Sequence, residues 1–358
     1  MKVLQLIDSL EAGGAERVAV NYANGLVHMV DASYLCTTRA EGLLKGDVNK
    51  DVGYLFLNKK KTIDIQAIKR LHQFIKNEDI DIIHAHGSSF FLATIIKLLQ
   101  PKLKLVWHDH YGKSEFLKQR PKQMLKLCSR FFNHIFSVNS ILETWAKTTL
   151  KVKSVSCLPN YAVKNNNALT TKLKGVEGKR IVCLANLRPQ KDHLNLLKAF
   201  KAVLITEPMW TLHLVGQDFK DVYSKSIFDF INLNKLETSV YIYGSCADTS
   251  AILQQSTIGV LSSKSEGLPL ALLEYGLAGL PVICTNVGDC SLVICDVKEG
   301  KLIPSENTIA LQKAMLHFIS DLEQSKTVGN HLKNKVELSF SEASALKKIR
   351  LIYQTIIS

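Results

Sequence analysis

The chain has 358 residues, 46% of them hydrophobic, which is enough for two folded cores and excludes a disordered polymer. Its 45 Lys and Arg outnumber 32 Asp and Glu, and the resulting net charge of +13 predicts an anionic partner: nucleic acid, anionic lipid or a phosphorylated small molecule. No apolar stretch is long enough to span a bilayer, no zinc-finger, helix-turn-helix or RNA-binding aromatic motif is legible, and the eight cysteines are scattered without a CxxC pair. These features argue against a membrane-spanning protein, a nucleic-acid binder and a disulfide scaffold. The cysteines are expected to be reduced core thiols. The start, MKVLQLIDSLEAGG, enters a strand pattern instead of a signal peptide, so a cytoplasmic location is expected.

In chain order, Val3 to Ile7 is a β-rich apolar run, followed by Gly13-Gly14 and a helical pattern from Ala15 to Leu26. Strand, glycine turn and helix open a doubly wound α/β domain. The glycine pair lets backbone approach a ligand, although a tight turn needing positive φ would use the same residues. Short strands are expected at Tyr34 to Thr37 and Tyr54 to Leu57, then a helix at Ile63 to Lys76 and a buried strand ending in His84-Ala85-His86. Phe90 to Leu99 has helical spacing, and the strand Lys104 to Trp107 runs into His108-Asp109-His110. Residues i and i+2 of a strand share a face, so each HxH can present two imidazoles together, as a metal site would need. One histidine packed inside and one facing a ligand explains the pattern as well, and no metal is expected. Asp79-Ile80-Asp81 precedes its strand and is expected to be a solvated turn.

From Lys113 to Phe136 six Lys or Arg interleave with Phe116, Leu117, Met124, Leu125, Leu127, Phe131 and Phe132. Such a segment can lie on an anionic membrane surface or form an ordinary helix with a solvated basic face, and Pro121 would interrupt or start it. Strands at Ile135 to Val138 and Ser154 to Leu158, with a helix at Ile141 to Leu150, complete the first half. A polar, Asn-rich stretch follows, and the linker is set at 165–178. The alternation then restarts with strands at Arg180 to Ala185, Trp210 to Val215, Val240 to Tyr243, Ile258 to Leu261, Val282 to Cys284 and Lys301 to Ile303. Helices at Asp192 to Leu204, Val222 to Leu233, Thr249 to Gln255 and after Leu270 lie between them. Ser341 to Ile357 is a last helix pattern. The expected architecture is α/β: two doubly wound Rossmann-like domains, 1–164 and 179–340, facing across a cleft, with 341–358 packing back on the first.

Three features converge in the second half. Glu266 is followed by Gly267-Leu268-Pro269-Leu270, where Gly permits close approach, Pro suits a first helical turn and free N–H groups can hold a phosphate. The strand ending at Ala185 opens into Asn186-Leu187-Arg188-Pro189-Gln190-Lys191, which brings cations to the same sheet edge. Glu274 lies two helical turns on, on the order of 10 Å away, about the reach from a diphosphate to a ribose.

The segment Ser262 to Gly288, with Glu266 and Glu274, resembles the E-x7-E signature of retaining glycosyltransferase family 4, whose fold is GT-B. The resemblance extends to GGAE at Gly13 to Glu16, DIIHAHG at Asp81 to Gly87, NLRPQKD at Asn186 to Asp192, Gly216, Gly244 and the terminal helix. It implies that Glu266 sits near the donor sugar, that Glu274 binds the ribose, and that backbone at Gly267, Leu268, Pro269 and Leu270 holds sugar and phosphate. Lys191 and Arg188 then hold the diphosphate. The family arginine aligns with Asn186, so either Asn186 or Arg188 takes its place. Gly13, Gly14, Gly216 and Tyr243 complete the implied donor contacts. The family histidine beside the reacting carbon corresponds to His110 or His108, and His86, His108 and His110 are assigned to the acceptor.

The implied activity is a metal-independent retaining transfer of a hexose-like sugar from a nucleoside diphosphate, with a UDP-sugar as expected donor and no other cofactor. The expected acceptor is a glycan or lipid-linked hydroxyl in cell-surface polysaccharide synthesis, possible contact with an anionic membrane being assigned to 113–136. A sugar-nucleotide epimerase, a non-catalytic sugar-binding membrane-associated subunit and a metal-dependent hydrolase are the alternatives.

Overall fold

Apolar runs flanked by helices can bury both faces only in parallel sheets, and two such sheets form. The computed structural model describes residues 1–112, 114–161, 163 and 170–358. The chain divides into two units, Met1–Tyr161 with Glu342–Ser358, and Ala162–Ser341.

The first unit runs β1 (Lys2–Ser9), α1 (Gly14–Leu26), β2 (Ala32–Ala40), β3 (Gly53–Phe56), α2 (Ile65–Glu78), β4 (Ile82–His86), α3 (Phe90–Leu99), β5 (Lys104–Asp109), α4 (Gln123–Cys128), β6 (His134–Ser137), α5 (Ser140–Thr149) and β7 (Val155–Cys157). Its seven described strands lie in the order β3-β2-β1-β4-β5-β6-β7. The strand order reverses between β1 and β4, and in open α/β sheets ligands bind beyond the carboxyl ends of the strands at such a point. In register, Gln5 pairs with His84, His86 with His108, and His108 with Phe136. Paired residues project to the same side of a sheet, so that face is polar and aromatic. Leu4, Leu6, Ile83, Ala85, Leu105, Trp107 and Ile135 form the apolar core on the other face. Tyr22 of α1 covers the polar face, its ring 5.7 Å from that of His108. The C-terminal helix (Glu342–Ile357) buries Leu346, Ile349 and Tyr353 in this unit.

The expected basic amphipathic helix at 113–136 does not form as one element. Lys113 lies outside the described residues; after it come a 3-10 turn at Ser114–Gln119, α4 and a second 3-10 turn at Ser129–Phe131. Arg120 turns inward ahead of Pro121. It is 8% exposed, and its guanidinium donates two hydrogen bonds to Asp109, at 2.7 and 2.8 Å. Its plane lies 4.2 Å from the Trp145 ring and 4.3 Å from that of Tyr111.

The second unit runs β8 (Arg180–Leu184), α6 (His193–Val203), β9 (Thr211–Val215), α7 (Val222–Leu233), β10 (Val240–Gly244), α8 (Thr249–Gln254), β11 (Ile258–Leu261), α9 (Leu270–Leu277), β12 (Val282–Thr285), α10 (Cys290–Val293), β13 (Lys301–Ile303), α11 (Thr308–Ser320) and α12 (Leu322–Ser339). Its order is β10-β9-β8-β11-β12-β13, with the reversal between β8 and β11. α11 and α12 fill a stretch where no element is expected from the alternation. Part of the expected linker, residues 165–169, lies outside the described residues. From Thr170 the chain is already tied to this unit, because Asp248 accepts from the amides of Thr170 and Thr171 at 2.9 and 2.7 Å and Leu173 is buried. None of the eight cysteines is in a disulfide, but Cys295 is exposed and Cys157 and Cys246 are half-buried, so the expectation of core thiols fails for these three.

Candidate active site

In the second unit the reversal between β8 and β11 brings two loops together. The loop after β8 carries Asn186 to Lys191, and the loop after β11 carries Ser262 to Glu266. They are laced by backbone and side chain: the Lys264 amide donates to the Gln190 carbonyl at 2.7 Å, and the Ser262 hydroxyl donates to the Lys191 carbonyl at 2.9 Å. Across this seam the Lys191 ammonium donates to Glu266 Oε1 at 2.6 Å, and the Ser263 hydroxyl donates to the same oxygen at 2.6 Å. Glu266 is 6% exposed, so its carboxylate is held by partners instead of water. A half-buried ammonium and a buried carboxylate in contact can separate onto a ligand that offers a phosphate to one and a hydroxyl to the other.

The turn after Glu266 is fixed by Gly288, at φ +54. A Cβ there would stand 2.3 Å from the Glu266 carbonyl oxygen and 2.5 Å from that of Gly267, so no larger residue fits. The Asp289 amide donates to the Gly267 carbonyl at 2.9 Å. α9 then starts at Leu270 behind an extended Pro269 with no side-chain cap; the Leu272 amide donates to the Pro269 carbonyl at 3.1 Å, and the amides ahead of it precede the helical ladder. The Leu268 and Leu270 side chains are buried, so these two residues can offer a ligand only their backbone. Glu274 is half-buried on the same helix.

The two candidates for the family arginine are placed differently. Asn186 Oδ1 accepts from the Gln217 amide at 2.8 Å and so ties the β8 loop to the β9 loop. Arg188 is exposed, its guanidinium 4.5 Å from the Phe219 ring. Gly216 lies under the same seam, where a Cβ would stand 2.2 Å from the Ala185 carbonyl oxygen. Tyr243 spends its hydroxyl on the His213 ring at 3.0 Å and the Lys174 amide at 3.1 Å, which binds the edge strand to the segment before β8.

In the first unit Gly13 caps α1 and Gly14 begins it with open space around its Cα. The Glu16 carboxylate folds over Gly13 and accepts from Ser9 at 3.5 Å. Of the three histidines assigned to the acceptor, His86 and His108 have no exposure and only His110 is partly open. His86 and His108 lie inside the sheet face, so of the three only His110 presents a ring that is open in this structure. The His110 ring lies 4.2 Å from that of His108, directly over it, and its Nε2 is 2.9 Å from His86 Nδ1. Burial pushes His110 down to about 3 and holds His84, His86 and His108 well below the ordinary histidine range. All four are neutral at physiological pH.

Nitrogens of His84, His86 and His108 come within 4.8 Å of one another, a spacing that a metal could use. The chemistry fits poorly. His84 Nδ1 bonds the Tyr353 hydroxyl at 2.6 Å, and both nitrogens of His86 are engaged, one by Gln5 at 2.8 Å and one by His110. The groups that perturb these rings are other imidazoles and no carboxylate, so a divalent cation would bring uncompensated charge into a dry core. Sequence reasoning missed Ser263, Gln5 and Tyr353. The signal for Gln5 was a lone amide inside the apolar strand Val3 to Ile7.

Residues 12–160 match the family described as Glycosyltransferase Family 4, and residues 169–335 match Glycosyl transferases group 1. The chain is similar to an uncharacterized glycosyltransferase of Haemophilus influenzae, 24% identical over 305 residues that cover 83% of this chain and 84% of that protein. It is similar to the UDP-Gal:alpha-D-GlcNAc-diphosphoundecaprenol alpha-1,3-galactosyltransferase of Escherichia coli, 23% identical over 311 residues covering 81% and 79%. Among solved structures it resembles Anabaena HepE in complex with UDP-glucose, with a TM-score of 0.83 and 17% identity over 99% of this chain and 100% of that one. The fold is therefore the expected one, two parallel-sheet α/β domains of the GT-B type.

Proposed function

Since the chain joins a Glycosyltransferase Family 4 domain to a Glycosyl transferases group 1 domain, it belongs to the glycosyltransferases, and from that premise we propose a metal-independent, retaining transfer from a UDP-sugar to a hydroxyl of a lipid-linked glycan. The observation that carries this is the 2.6 Å contact of Lys191 with Glu266 at the reversal of the second sheet, beside the amino terminus of α9.

The second unit is assigned the donor. As the diphosphate departs, negative charge grows on its oxygens, and Lys191, Arg188 and the first amides of α9 meet it. Asn186 is committed to Gln217, so the second cation is Arg188. Glu266, released by Lys191, accepts from a donor-sugar hydroxyl, and Glu274 accepts from the ribose. The bond from the anomeric carbon to the diphosphate oxygen breaks with its electron pair on oxygen. The acceptor oxygen attacks from the same face, and its proton passes to a diphosphate oxygen. His110 of the first unit, neutral because its basicity is pushed down to about 3, positions a bound sugar by hydrogen bonding and does not store positive charge.

Two names support the substrates: the Escherichia coli relative is named for transfer from UDP-Gal to a diphosphoundecaprenol-linked sugar, and the Anabaena protein holds UDP-glucose. We assign the setting to cell-surface polysaccharide assembly at the cytoplasmic face of a membrane. Exposed Phe116, Met124 and Leu127, set among Lys118, Lys122 and Lys126, support peripheral contact there. Among the described residues no helix is long and apolar enough to cross a membrane.

A panel of nucleotide sugars screened for a rise in melting temperature, then assayed for UDP release with a diphospholipid-linked sugar, tests this. UDP-sugars are expected to stabilise the protein, and NMR of the product to show the donor's anomeric configuration. An inverted product, donor converted without acceptor, or binding without UDP release would each defeat the proposal.

A further inference from the structure

Gln5 lies in the middle of a core strand with no exposure, and a buried amide there must be bonded on both sides. Its Oε1 is 2.8 Å from His86 Nε2, and its amide nitrogen donates to the Tyr353 hydroxyl at 3.4 Å. The phenol oxygen that accepts from Gln5 lies 2.6 Å from His84 Nδ1. With the Gln5 carbonyl toward it, the neutral His86 carries its proton on Nε2 and presents a lone pair at Nδ1. The bond from His86 Nδ1 to His110 Nε2, at 2.9 Å, then requires the proton on His110 Nε2. Among the described residues no hydrogen bond is recorded to His110 Nδ1, which holds the remaining lone pair of a partly open ring.

We propose that Gln5, oriented by Tyr353 and acting through His86, holds His110 as its Nε2–H tautomer, so that Nδ1 meets the bound sugars as a hydrogen-bond acceptor. This rests on the assignment of His110 to the sugar site. The ligand group it selects is a sugar hydroxyl other than the reacting one, whose proton leaves with the diphosphate; a phosphate or carboxylate oxygen offers Nδ1 no proton and is refused. Gln5, His86 and Tyr353 are positioning residues. They tie the first strand and the last helix to a ring neither of them touches.

The test is long-range proton–nitrogen NMR on full-length protein labelled with 15N-histidine, with His110 assigned by the signals lost in His110→Ala. The wild type is expected to show His110 Nε2 protonated and Nδ1 bare at pH 7.5. Gln5→Met and Tyr353→Phe should each yield a mixture of tautomers and lower kcat about tenfold, the weight of one hydrogen bond, with donor KM unchanged. Gln5→Glu, kept neutral by burial so that its carbonyl accepts from His86 and its O–H donates to Tyr353, should restore both. A wild-type His110 protonated on Nδ1, or a tautomer unmoved in both variants, overturns the proposal. Full turnover in His110→Ala would instead defeat the assignment of His110 to the sugar site, and the tautomer result would stand apart from it.

Discussion

The Lys191 ammonium and the Glu266 carboxylate, 2.6 Å apart, join the loops after β8 and β11 where the second sheet reverses its strand order. Each is the other's counter-ion, and the Ser263 hydroxyl donates to the same carboxylate oxygen at 2.6 Å. The proposed function therefore gives the pair two separable roles, one in stability and one in binding phosphate.

Lys191→Ala removes the proposed phosphate contact and leaves a buried carboxylate without its lysine counter-ion. Turnover is expected to fall about a hundredfold, and stability by up to about 3 kcal/mol. In Lys191→Ala with Glu266→Gln the stranded charge is gone, so the melting temperature recovers while turnover does not. UDP release and thermal unfolding measured on the same preparations separate the roles. Turnover that recovers together with stability would reduce the pair to scaffolding.

Arg188 lies on the exposed face of the same loop, stacked on Phe219 at 4.5 Å. Arg188→Ala should leave the melting temperature within the scatter of surface substitutions. It should raise donor KM roughly tenfold, as losing one charged hydrogen bond would. Titration with UDP alone checks the assignment, because an affinity loss seen with the UDP-sugar and absent with UDP would place Arg188 off the diphosphate.

The strands were legible because parallel strands buried on both faces read as apolar runs, as at Ile258–Leu261 and Val282–Thr285. Glu266 and the start of α9 were legible because Gly267 and Pro269 mark the turn locally. What escaped depends on partners distant in sequence. His108 and His110 share a face by strand alternation, yet which one reaches the surface depends on the strand ending at Asp109. Arg120 resembles its basic neighbours until Asp109 and the rings of Tyr111 and Trp145 draw it inside. Gln5 and Tyr353 meet only after the last helix returns to the first sheet.

The Asp109 and Arg120 pair is buried and bidentate, with side chains 1% and 7% exposed. Arg120→Met leaves the buried Asp109 carboxyl, which lies between His108 and His110 in sequence, without its guanidinium partner. Stability is expected to fall by about 3–5 kcal/mol, with UDP affinity unchanged because the loops proposed to bind the donor lie in the other unit. Urea unfolding and UDP titration test this; a loss of UDP affinity at full stability would contradict it.

Acid should unfold this protein early. Burial holds His84, His86 and His108 well below the ordinary range, His110 at about 3, and His134, His193 and His213 at about 4. In the unfolded chain these rings titrate near about 6.5. Below that pH the unfolded state takes up protons that the folded state refuses, so the stability due to neutral burial is complete above 6.5 and is lost as pH falls toward the folded values. Each ring contributes a slope approaching about 1.4 kcal/mol per pH unit within that window. Urea midpoints are expected to be flat from pH 7 to 8.5 and to fall steeply from pH 6 to 5, before most carboxylates protonate. His108→Leu removes two buried nitrogens that have no partner and should flatten the slope by one proton at little cost at pH 7.5. Equal stability at pH 7.5 and 5, or a wild-type slope in His108→Leu, would show that these imidazoles are not buried neutral.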